Sequence, residues 1–327
     1  MENILVVGGA GYIGSHMVVA LNDAGYDCVV LDNLYSGRRD AVIAGEFIEG
    51  DLNDRELIDR VLDAHDITGV MHFAAHIEVG ESVRDPAKYY RNNVFNTQNL
   101  LDAMVRYGVS AFIFSSTAAI FGEPEYVPID EQHPKSPVNP YGRSKWMVEQ
   151  LLEDYDRAYG LKSVALRYFN AAGADAQGRL GECHDPESHL IPLVLRAASG
   201  RRESITLFGD DYNTPDGTCI RDYIHVQDLC DAHLRALKGL LGGAGSDRFN
   251  LGNGQGYSVQ EVIDAAARVT GLGIPVTRGE RRDGDPARLV ADSARAREKL
   301  GWSPRYVDLD TIIAHAWAWE QRADPDG

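Results

Sequence analysis

The sequence has 327 residues, of which 44% are apolar and 25% are charged, and its formal net charge is −17 at pH 7. A chain of this length and composition can bury a substantial core in one large or two moderate domains, which excludes an intrinsically disordered protein. The acidic balance argues against a nucleic-acid-binding surface, because binding to phosphate backbones requires clustered cations.

The chain also lacks the signals of membrane insertion and secretion. No apolar run reaches the roughly 18 residues that a transmembrane helix requires, and the first residues, MENILVVGG, contain no basic segment of a signal peptide. Four cysteines occur without C-x-x-C spacing, namely Cys28, Cys183, Cys219 and Cys230. We therefore expect free thiols, a cytoplasmic location, and neither a membrane nor a nucleic acid as partner.

In the first half of the chain, short apolar segments alternate with segments of helical periodicity. Strands are predicted at ILVVGG, CVVLDN, FIEGD, GVMHFAA, AFIFSS and SVALRYFN, with helices over 12–25, 54–64, 86–107 and 140–159. The strands are apolar on both faces, as a sheet covered by helices on both sides requires. This alternation predicts an α/β fold with a doubly wound parallel sheet of the Rossmann type.

After about residue 171 the pattern becomes richer in glycine and proline. Helices are predicted near 187–199, 226–240, 258–270, 292–300 and 309–321. We expect residues 1–171 to form a Rossmann domain. Residues 172–327 would form mainly a smaller α/β lobe for the substrate, with segments returning to the first domain and a ligand cleft between the two.

A glycine-rich loop directly follows the first predicted strand and opens the first helix. In VVGGAGYIGSH, Gly8, Gly11 and Gly14 permit a tight turn and let a pyrophosphate approach the helix N-terminus. Asp32, at the end of the second strand, would accept hydrogen bonds from the adenosine ribose hydroxyls and would repel a 2′-phosphate, which favours NAD over NADP. The weaker alternative is that the glycines only make a turn and that Asp32 only caps one.

A second acidic residue follows the third predicted strand. Asp51 in EGDLND is a candidate neighbour of the adenine. Asp51 or Asn53 could instead simply cap the helix predicted from residue 54.

The segment YGRSK places Tyr141 and Lys145 four positions apart on a predicted helix that begins at Pro140. A lysine ammonium there would stabilise a phenolate and lower the tyrosine pKa from about 10. Ser115, Ser116 and Thr117 end the preceding strand, at the sheet edge where such folds bind ligands. A hydroxyl, a tyrosine and a lysine beside NAD can move a proton while the cofactor moves a hydride.

With these motifs in place, the sequence resembles the extended short-chain dehydrogenase/reductases and, within them, the UDP-glucose 4-epimerase family. The resemblance covers essentially the whole chain, through GGAGYIGSH, HFAA, VGES, YYRNNV, FSSTAAIFG, NPYGRSK, LRYFNAAGA, PDGTCIRDYIHV, FNLGNG and RRDGDPARL. It implies transient oxidation of a UDP-hexose at C4 by tightly held NAD, with return of the hydride to the opposite face, interconverting UDP-galactose and UDP-glucose.

The resemblance also assigns roles to individual residues. Tyr141 would be the base for the sugar 4-hydroxyl, Thr117 would bond the same oxygen, and Lys145 would tune Tyr141 and hold the nicotinamide ribose. The implied cofactor-binding residues are Gly8, Gly11, Tyr12, Ile13, Gly14, Asp32, Asn33, Ser36, Gly37, Asp51, Leu52, Phe73, Ala74, Ala75, Asn92, Ser115, Tyr141, Lys145 and Tyr168. The implied substrate-binding residues are Thr117, Tyr141, Asn170, His189, Leu190, Thr206, Phe208, Arg221, Tyr223, Arg282 and Asp285.

Four positions depart from the family pattern. Ile77 replaces a lysine that some members direct at the pyrophosphate, Thr117 replaces the usual serine, and His189 stands where asparagine is common. Leu289 is intermediate in size between a tyrosine associated with unacetylated hexoses and the smaller residues that admit N-acetyl sugars. We therefore expect appreciable activity on UDP-N-acetylglucosamine.

Other functions remain as alternatives. A 4,6-dehydratase would need an Asp-Glu pair where this chain has Ala118 and Ala119. A 4-epimerase of UDP-pentoses or UDP-uronates would use the same residues. A non-catalytic NAD-sensing protein would keep the fold but would be expected to have lost Tyr141 or Lys145, and this chain has both.

The last two expectations concern metals and assembly. His72 and His76 are four apart, but on a strand and the turn after it, with no carboxylate to complete a set, so no metal site is predicted. The helices over 86–107 and 140–159 carry apolar residues beyond one face and could pair across a two-fold axis. The resemblance also implies a homodimer.

Overall fold

The computed structural model describes residues 2–282 and 285–322. Its strands are β1 (Asn3–Val7), β2 (Asp27–Asp32), β3 (Glu46–Glu49), β4 (Ile67–His72), β5 (Ala111–Thr117), β6 (Lys162–Tyr168), β7 (Asn170–Ala172), β8 (Ile205–Phe208), β9 (Ile220–His225), β10 (Asp247–Leu251), β11 (Gly256–Ser258), β12 (Val276–Gly279) and β13 (Arg288–Leu289). Seven of them form a parallel sheet in the order β10-β6-β5-β4-β1-β2-β3. The predicted doubly wound fold is therefore confirmed.

The position of β1 in this order fixes where a ligand can bind. Its neighbours are β2 on one side and β4 on the other, so the direction of the winding reverses at β1. In an open α/β sheet a crevice forms outside the carboxyl ends of the strands at this reversal. The glycine-rich loop after β1 lies at that crevice.

Helices cover both faces of the sheet. They are α1 (Tyr12–Asp23), α2 (Arg55–Ala64), α3 (Val79–Arg84), α4 (Pro86–Tyr90), α5 (Asn96–Tyr107), α6 (Pro140–Tyr159), α7 (Leu190–Ala198), α8 (Val226–Leu241), α9 (Val259–Thr270), α10 (Ala294–Leu300) and α11 (Leu309–Glu320). One apolar cluster packs α1 and α8 on one face, and a second packs α2, α5 and α6 on the other. The apolar faces of the parallel strands are thereby removed from water.

The helix predicted over 86–107 is wrong in one respect. Residues 91–95 form a turn of π-helix between α4 and α5. Within it, the Asn93 side chain accepts a hydrogen bond from His76 N at 2.9 Å and donates to His76 O and to Ser144 Oγ, each at 3.0 Å. These contacts with distant segments explain why local periodicity did not indicate the π turn.

The second half of the chain builds smaller sheets above the crevice. Strands β7, β11 and β13 flank β9, with β11 antiparallel to it, while β8 pairs with β12. Helices α7, α9 and α11 share a third apolar cluster with these strands. Strand β10 and helix α8 pack in the large sheet instead. The division into two domains at residue 171 stays a prediction.

None of the helices in the described residues combines the length and apolarity needed to cross a bilayer. The four cysteines are free thiols, and three of them, Cys28, Cys219 and Cys230, are buried.

Candidate active site

The glycine-rich loop is shaped by close backbone contacts. Gly8 has φ +81°, and a Cβ added there would lie 2.4 Å from Ala74 N. A Cβ on Gly14 would lie 2.1 Å from Gly8 O, so both positions require glycine. A Cβ on Gly11 would meet only Gly8 O, at 3.4 Å, so packing does not account for this glycine.

The first turn of α1 is open to a ligand. Gly11 is the N-cap residue and supplies no side-chain hydrogen bond to the helix. Gly8, Gly11 and Gly14 all line a cavity of about 500 Å³. Uncapped N–H groups facing a cavity fit a phosphate group, which argues against the alternative that the glycines only make a turn.

Asp32 is fixed at the end of β2 by two backbone donors. Its Oδ2 accepts from Ala10 N at 2.9 Å and its Oδ1 from Leu34 N at 2.8 Å. Burial raises the pKa of Asp32, while these two hydrogen bonds act in the opposite direction. Each carboxylate oxygen of Asp32 keeps a further lone pair. Because Asp32 lines a cavity that adjoins the first one, the two hydroxyls of a ribose could donate hydrogen bonds to it there.

Asp51 lines the same adjoining cavity as Asp32. It accepts hydrogen bonds from Asn33 Nδ2 at 2.5 Å, from Asn53 N at 2.8 Å and from Asn96 Nδ2 at 3.2 Å. The cap of α2 is Asp54, whose carboxylate accepts from Leu57 N. The alternative that Asp51 or Asn53 caps this helix is therefore wrong.

The tyrosine and lysine of YGRSK lie at the start of α6. Pro140 is its first residue, and the Asn139 side chain caps it by accepting from Gly142 N at 2.8 Å. Tyr141 and Lys145 both line the 500 Å³ cavity, as does Thr117 at the end of β5. The parallel sheet and this helix thus place the three predicted catalytic side chains, Thr117, Tyr141 and Lys145, along one wall of this 500 Å³ cavity.

The electrostatics of this wall differ from the expectation. Lys145 Nζ donates to Ser115 O at 2.8 Å and lies 4.9 Å from the Phe114 ring centroid. Burial lowers the pKa of Lys145 to about 7. Desolvation raises the pKa of Tyr141, and a hydrogen bond with Thr117 only partly opposes that rise. The predicted lowering of the tyrosine pKa is therefore wrong for this arrangement, because removal of water dominates.

The substrate-binding residues predicted in the second half of the chain converge on an adjoining cavity of about 370 Å³. Arg221 Nη2 bonds Asp285 Oδ1 at 2.8 Å, and its Nη1 donates to Pro286 O at 2.8 Å. Its side chain is only 12% exposed, so a solvated surface arginine is excluded. Arg282 stacks on Phe208, with the guanidinium carbon 4.0 Å from the ring centroid. Forked donors on these two arginines suit a diphosphate.

Every predicted cofactor- and substrate-binding residue lines at least one of three adjoining cavities. The cavity at the ends of β1, β2 and β3 holds Asp32, Asn33, Gly37, Asp51, Leu52, Ala74 and Asn92. The central cavity holds Tyr12, Ile13, Gly14, Ser115, Thr117, Tyr141, Lys145 and Tyr168, and shares Gly8, Gly11, Ser36, Phe73 and Ala75 with the first. The third holds Leu190, Thr206, Phe208, Tyr223 and Asp285, and shares Asn170, His189, Arg221 and Arg282 with the central one.

The departing residues also lie at the central cavity. Ile77 and Leu289 line it, and Leu289 packs with the apolar cluster of Ile120 and Phe121 beneath. Tyr12 adds a link that the sequence did not indicate, because its hydroxyl donates to Gly173 O at 2.7 Å. The glycine-rich loop is thereby tied to the chain that enters the substrate lobe.

A group that the sequence analysis missed surrounds His189. Glu182, His184, Glu187 and His189 bring one ligand-type atom each to within 4.8 Å of the others. Their spacing in GECHDPESHL, where residues 182–189 contain three acids and two histidines, was the available signal. Although burial alone would lower the pKa of His189, the carboxylates of Glu182 and Glu187 raise it to about 10.

The sequence matches the family described as NAD dependent epimerase/dehydratase over residues 4–252. It is 53% identical over 326 residues to a UDP-glucose 4-epimerase of Rhizobium meliloti, covering 100% of this chain and 99% of that protein. The structure of UDP-glucose 4-epimerase from Brucella ovis in complex with NAD superposes with a TM-score of 0.95 at 52% identity, covering 97% and 98% of the two chains.

The UDP-Glc/GlcNAc 4-epimerase of Campylobacter jejuni superposes with a TM-score of 0.87 at 42% identity, covering 98% of this chain and 100% of that one. These similarities extend over nearly the full length of the chain. The chain therefore belongs to the NAD-dependent epimerase/dehydratase family and, within it, to the UDP-glucose 4-epimerases.

Proposed function

We propose that this protein interconverts UDP-galactose and UDP-glucose by NAD-dependent epimerisation at C4 of the hexose. The observation that carries the proposal is the wall formed by Thr117, Tyr141 and Lys145. It lies between the open helix N-terminus of the glycine-rich loop and the arginines of the third cavity. A proton-transfer group thus stands where a dinucleotide and a nucleotide-sugar would meet.

The residues of this chain divide the work by position. Tyr141 takes the proton of the sugar 4-hydroxyl, and Thr117 bonds the same oxygen. When bound, NAD would supply the hydride chemistry: it would accept the hydride from C4 of the sugar and later return it to that carbon. Arg221 and Arg282 hold the diphosphate, so that the sugar can turn about this tether and present its other face. Asp32 and the glycine-rich loop hold the dinucleotide.

The first test is incubation of purified protein with UDP-galactose without added NAD, followed by chromatography of UDP-glucose. We expect conversion, because the reaction consumes no net reductant and the cofactor need not leave. No conversion even after NAD is supplied would contradict the proposal. It would direct the search to UDP-pentoses or UDP-uronates, and then to an NAD-sensing role.

Cofactor retention can be measured separately from turnover. Denaturation of freshly purified active protein should release about one NAD per chain, because the residues expected to hold the dinucleotide line two adjoining cavities. Asp32→Ala should release much less, since it removes the ribose acceptor and unties Ala10 N and Leu34 N. Active wild-type protein that releases no nucleotide would rule out tight retention.

A second activity, on UDP-N-acetylglucosamine, is favoured by the side chain at position 289. Leu289 lines the same central cavity as Tyr141, it packs with Phe169 on one apolar cluster, and it lacks the ring and hydroxyl of a tyrosine. The similar Campylobacter jejuni protein is described as acting on both UDP-glucose and its N-acetyl counterpart. We infer that the space next to Leu289 admits the acetamido group.

Leu289→Tyr should therefore lower kcat/KM for UDP-N-acetylglucosamine by at least about tenfold, while activity on UDP-glucose is kept. A tyrosine ring that overlaps the acetamido group should disfavour the N-acetyl substrate relative to UDP-glucose by about 1–3 kcal/mol, the usual effect of such a steric difference in a pocket. Parallel steady-state assays on the two sugars check this. Equal losses on both sugars would contradict the inference, as would a large gain by Leu289→Cys from a near-zero parent activity.

We also propose a homodimer in the cytoplasm. Large apolar side chains are exposed along the α4–α5 segment and α6, including Phe95 at 62%, Tyr159 at 62% and Met147 at 41%. Two such segments from each of two copies would form a four-helix bundle. The cytoplasmic location is supported by the free cysteine thiols, which are typical of proteins in a reducing compartment. Sedimentation analysis of wild type and Phe95→Asp should give dimer and monomer; a monomeric wild type would contradict the dimer.

A further inference from the structure

Four potential metal ligands converge in the segment between β7 and α7. His189 Nδ1 lies 2.7 Å from Glu182 Oε1 and 3.0 Å from Glu187 Oε1. His184 Nδ1 lies 3.0 Å from Glu182 Oε1 and 4.0 Å from Glu187 Oε1. Within the described part of the chain, this is the group of histidines, cysteines and acids that meets the spacing for a metal ion.

These separations fit a small tetrahedral cation. Zinc binds nitrogen and oxygen ligands at about 2.0–2.2 Å, so two ligands of a tetrahedron lie roughly 3.3 Å apart. The four separations between a histidine nitrogen and a carboxylate oxygen, from 2.7 to 4.0 Å, bracket that value, and all four ligand atoms lie within 4.8 Å of one another. Two imidazoles with two carboxylates are a donor set for Zn²⁺ rather than for Mg²⁺ or Ca²⁺, which prefer six or more oxygens.

The two oxygens of Glu187 differ in their surroundings. Oε1, the atom near the two histidines, also accepts from the backbone N of Ser188 and of His189 at 2.9 Å each, whereas the hydrogen-bonding capacity of Oε2 is unused in the part of the chain that the structure describes. The Glu187 side chain is 1% exposed, and its Oε2 is buried without a hydrogen-bond partner among the described residues. Arg196 Nη2 lies 3.9 Å from this Oε2. A buried carboxylate oxygen left in this way is costly unless a ligand or ion satisfies it.

The surrounding chain holds the segment in place. Glu182 O accepts from Trp319 Nε1 at 3.2 Å, and a Cβ on Gly181 would lie 2.1 Å from the Trp319 ring. Ser188 Oγ donates to Glu78 Oε1 at 2.9 Å across the cavity mouth. The four side chains are therefore brought together by packing at both ends of the segment, which is the pre-organisation a metal site needs.

We propose that Glu182, His184, Glu187 and His189 form a Zn²⁺-binding site in the wall of the substrate cavity. Glu182 and His189 line both the central and the third cavity, and His184 lines the central one. Two carboxylates balance the charge of the dication. Because α7 begins directly after His189, the ion fixes the start of the helix that lines the third cavity.

The same four side chains can also form an ion-paired cluster without metal, in which His189 carries a proton between the two carboxylates. The charge of His189 and its hydrogen bonds lower the pKa of Glu182 to about 2, against the effect of burial, which raises it. A metal must compete with that proton. The experiment therefore has to measure metal binding itself and not only the stability of the segment.

The test is equilibrium dialysis of the NAD-loaded protein, first freed of metal by a chelator, against Zn²⁺, with Mg²⁺ as the comparison cation. We expect one Zn²⁺ per chain and no comparable Mg²⁺ binding. With Co²⁺ as a spectroscopic substitute, intense visible absorption of a tetrahedral ion should appear and be lost when Zn²⁺ is added.

Two variants locate the ion and one serves as control. His184→Gln and Glu187→Gln should each weaken Zn²⁺ binding by at least about 100-fold, since loss of a mere partner of a ligand costs 10- to 100-fold. His65→Gln should bind as wild type, because His65 faces Glu46 at 3.8 Å in a separate surface pair. Circular dichroism identifies a variant that is not folded.

Three outcomes would overturn the proposal. They are the absence of stoichiometric Zn²⁺ in the wild type, retention of wild-type affinity by folded His184→Gln, or equal loss in His65→Gln. Each leaves the epimerase proposal untouched, because conversion of UDP-galactose is measured independently. In each case the protonated His189 cluster would be the state of this segment.

Discussion

Replacing Tyr141 by phenylalanine should lower kcat by about 10²- to 10⁴-fold, which is the usual contribution of a positioned general acid or base. The substitution removes one oxygen from the wall that Tyr141 shares with Thr117 and Lys145 and leaves the ring in place. The release of NAD on denaturation should remain near one per chain, because the glycine-rich loop and Asp32 are untouched. Steady-state kinetics on UDP-galactose and nucleotide release measure the two effects.

The chain offers a matched control for this change. Tyr155 lies on the same helix, is 7% exposed, and its hydroxyl bonds Asp102 far from the cavities. Tyr155→Phe removes the same atom and should leave kcat within about twofold of wild type. Turnover of Tyr141→Phe equal to that of Tyr155→Phe would remove Tyr141 from the role of base.

A substitution at Thr117 tests the electrostatics of the site. Desolvation raises the pKa of Tyr141 and lowers that of Lys145 to about 7, so both groups are driven toward their neutral forms. Thr117 is the neighbour that opposes the rise of the tyrosine pKa. Thr117→Val should therefore lower kcat more than KM rises, because it removes a contact to the reacting oxygen.

Features carried by local signals were predictable from the sequence. The helix over 140–159 was predicted with both ends correct, because Asn139 caps it, Pro140 starts it, and Gly160 at φ 73° ends it. Six of the seven strands of the large sheet, β1 to β6, were predicted from apolar runs, whereas β10 was not. The glycine-rich loop was predicted from its place between strand and helix. Each of these depends on residues that are neighbours in the chain.

Features that depend on distant contacts were not predictable. The π turn at 91–95 is held by Asn93, which bonds His76 and Ser144 from other segments. The direction of Lys145 toward Ser115 O depends on how α6 lies against β5. The group around His189 differs from these two features, because its four residues lie within eight consecutive positions, whereas the sequence analysis considered only His72 and His76 as metal ligands.

The position of α6 on the sheet is set by a buried ion pair directly behind the candidate catalytic residues. Arg167 and Glu149 are 0% and 3% exposed, and the Arg167 Nε donates to Glu149 Oε1 at 2.9 Å. Ser116 Oγ donates to the same oxygen at 2.6 Å. Glu149 stands one helical turn after Lys145. Its bond with Arg167 joins α6 to β6, and its bond with Ser116 joins α6 to β5, which ends at Thr117.

Glu149→Leu should reduce the free energy of unfolding by about 3–5 kcal/mol, because it leaves the Arg167 charge buried without its partner. The double variant Glu149→Leu with Arg167→Leu should recover most of that loss, since no buried charge remains. Urea unfolding of the four proteins in this cycle measures the coupling between the two positions.

Glu153→Leu, one turn further along α6, is the matched control for this cycle. Glu153 pairs with Arg248 at 2.8 Å, but the two side chains are 39% and 42% exposed, so water screens the pair and its loss should change the unfolding free energy by less than about 1 kcal/mol. Equal destabilisation by Glu149→Leu and Glu153→Leu would contradict the role of the buried pair. A folded double variant that regains stability but not turnover would show that the pair positions α6 for catalysis as well as holding it on the sheet.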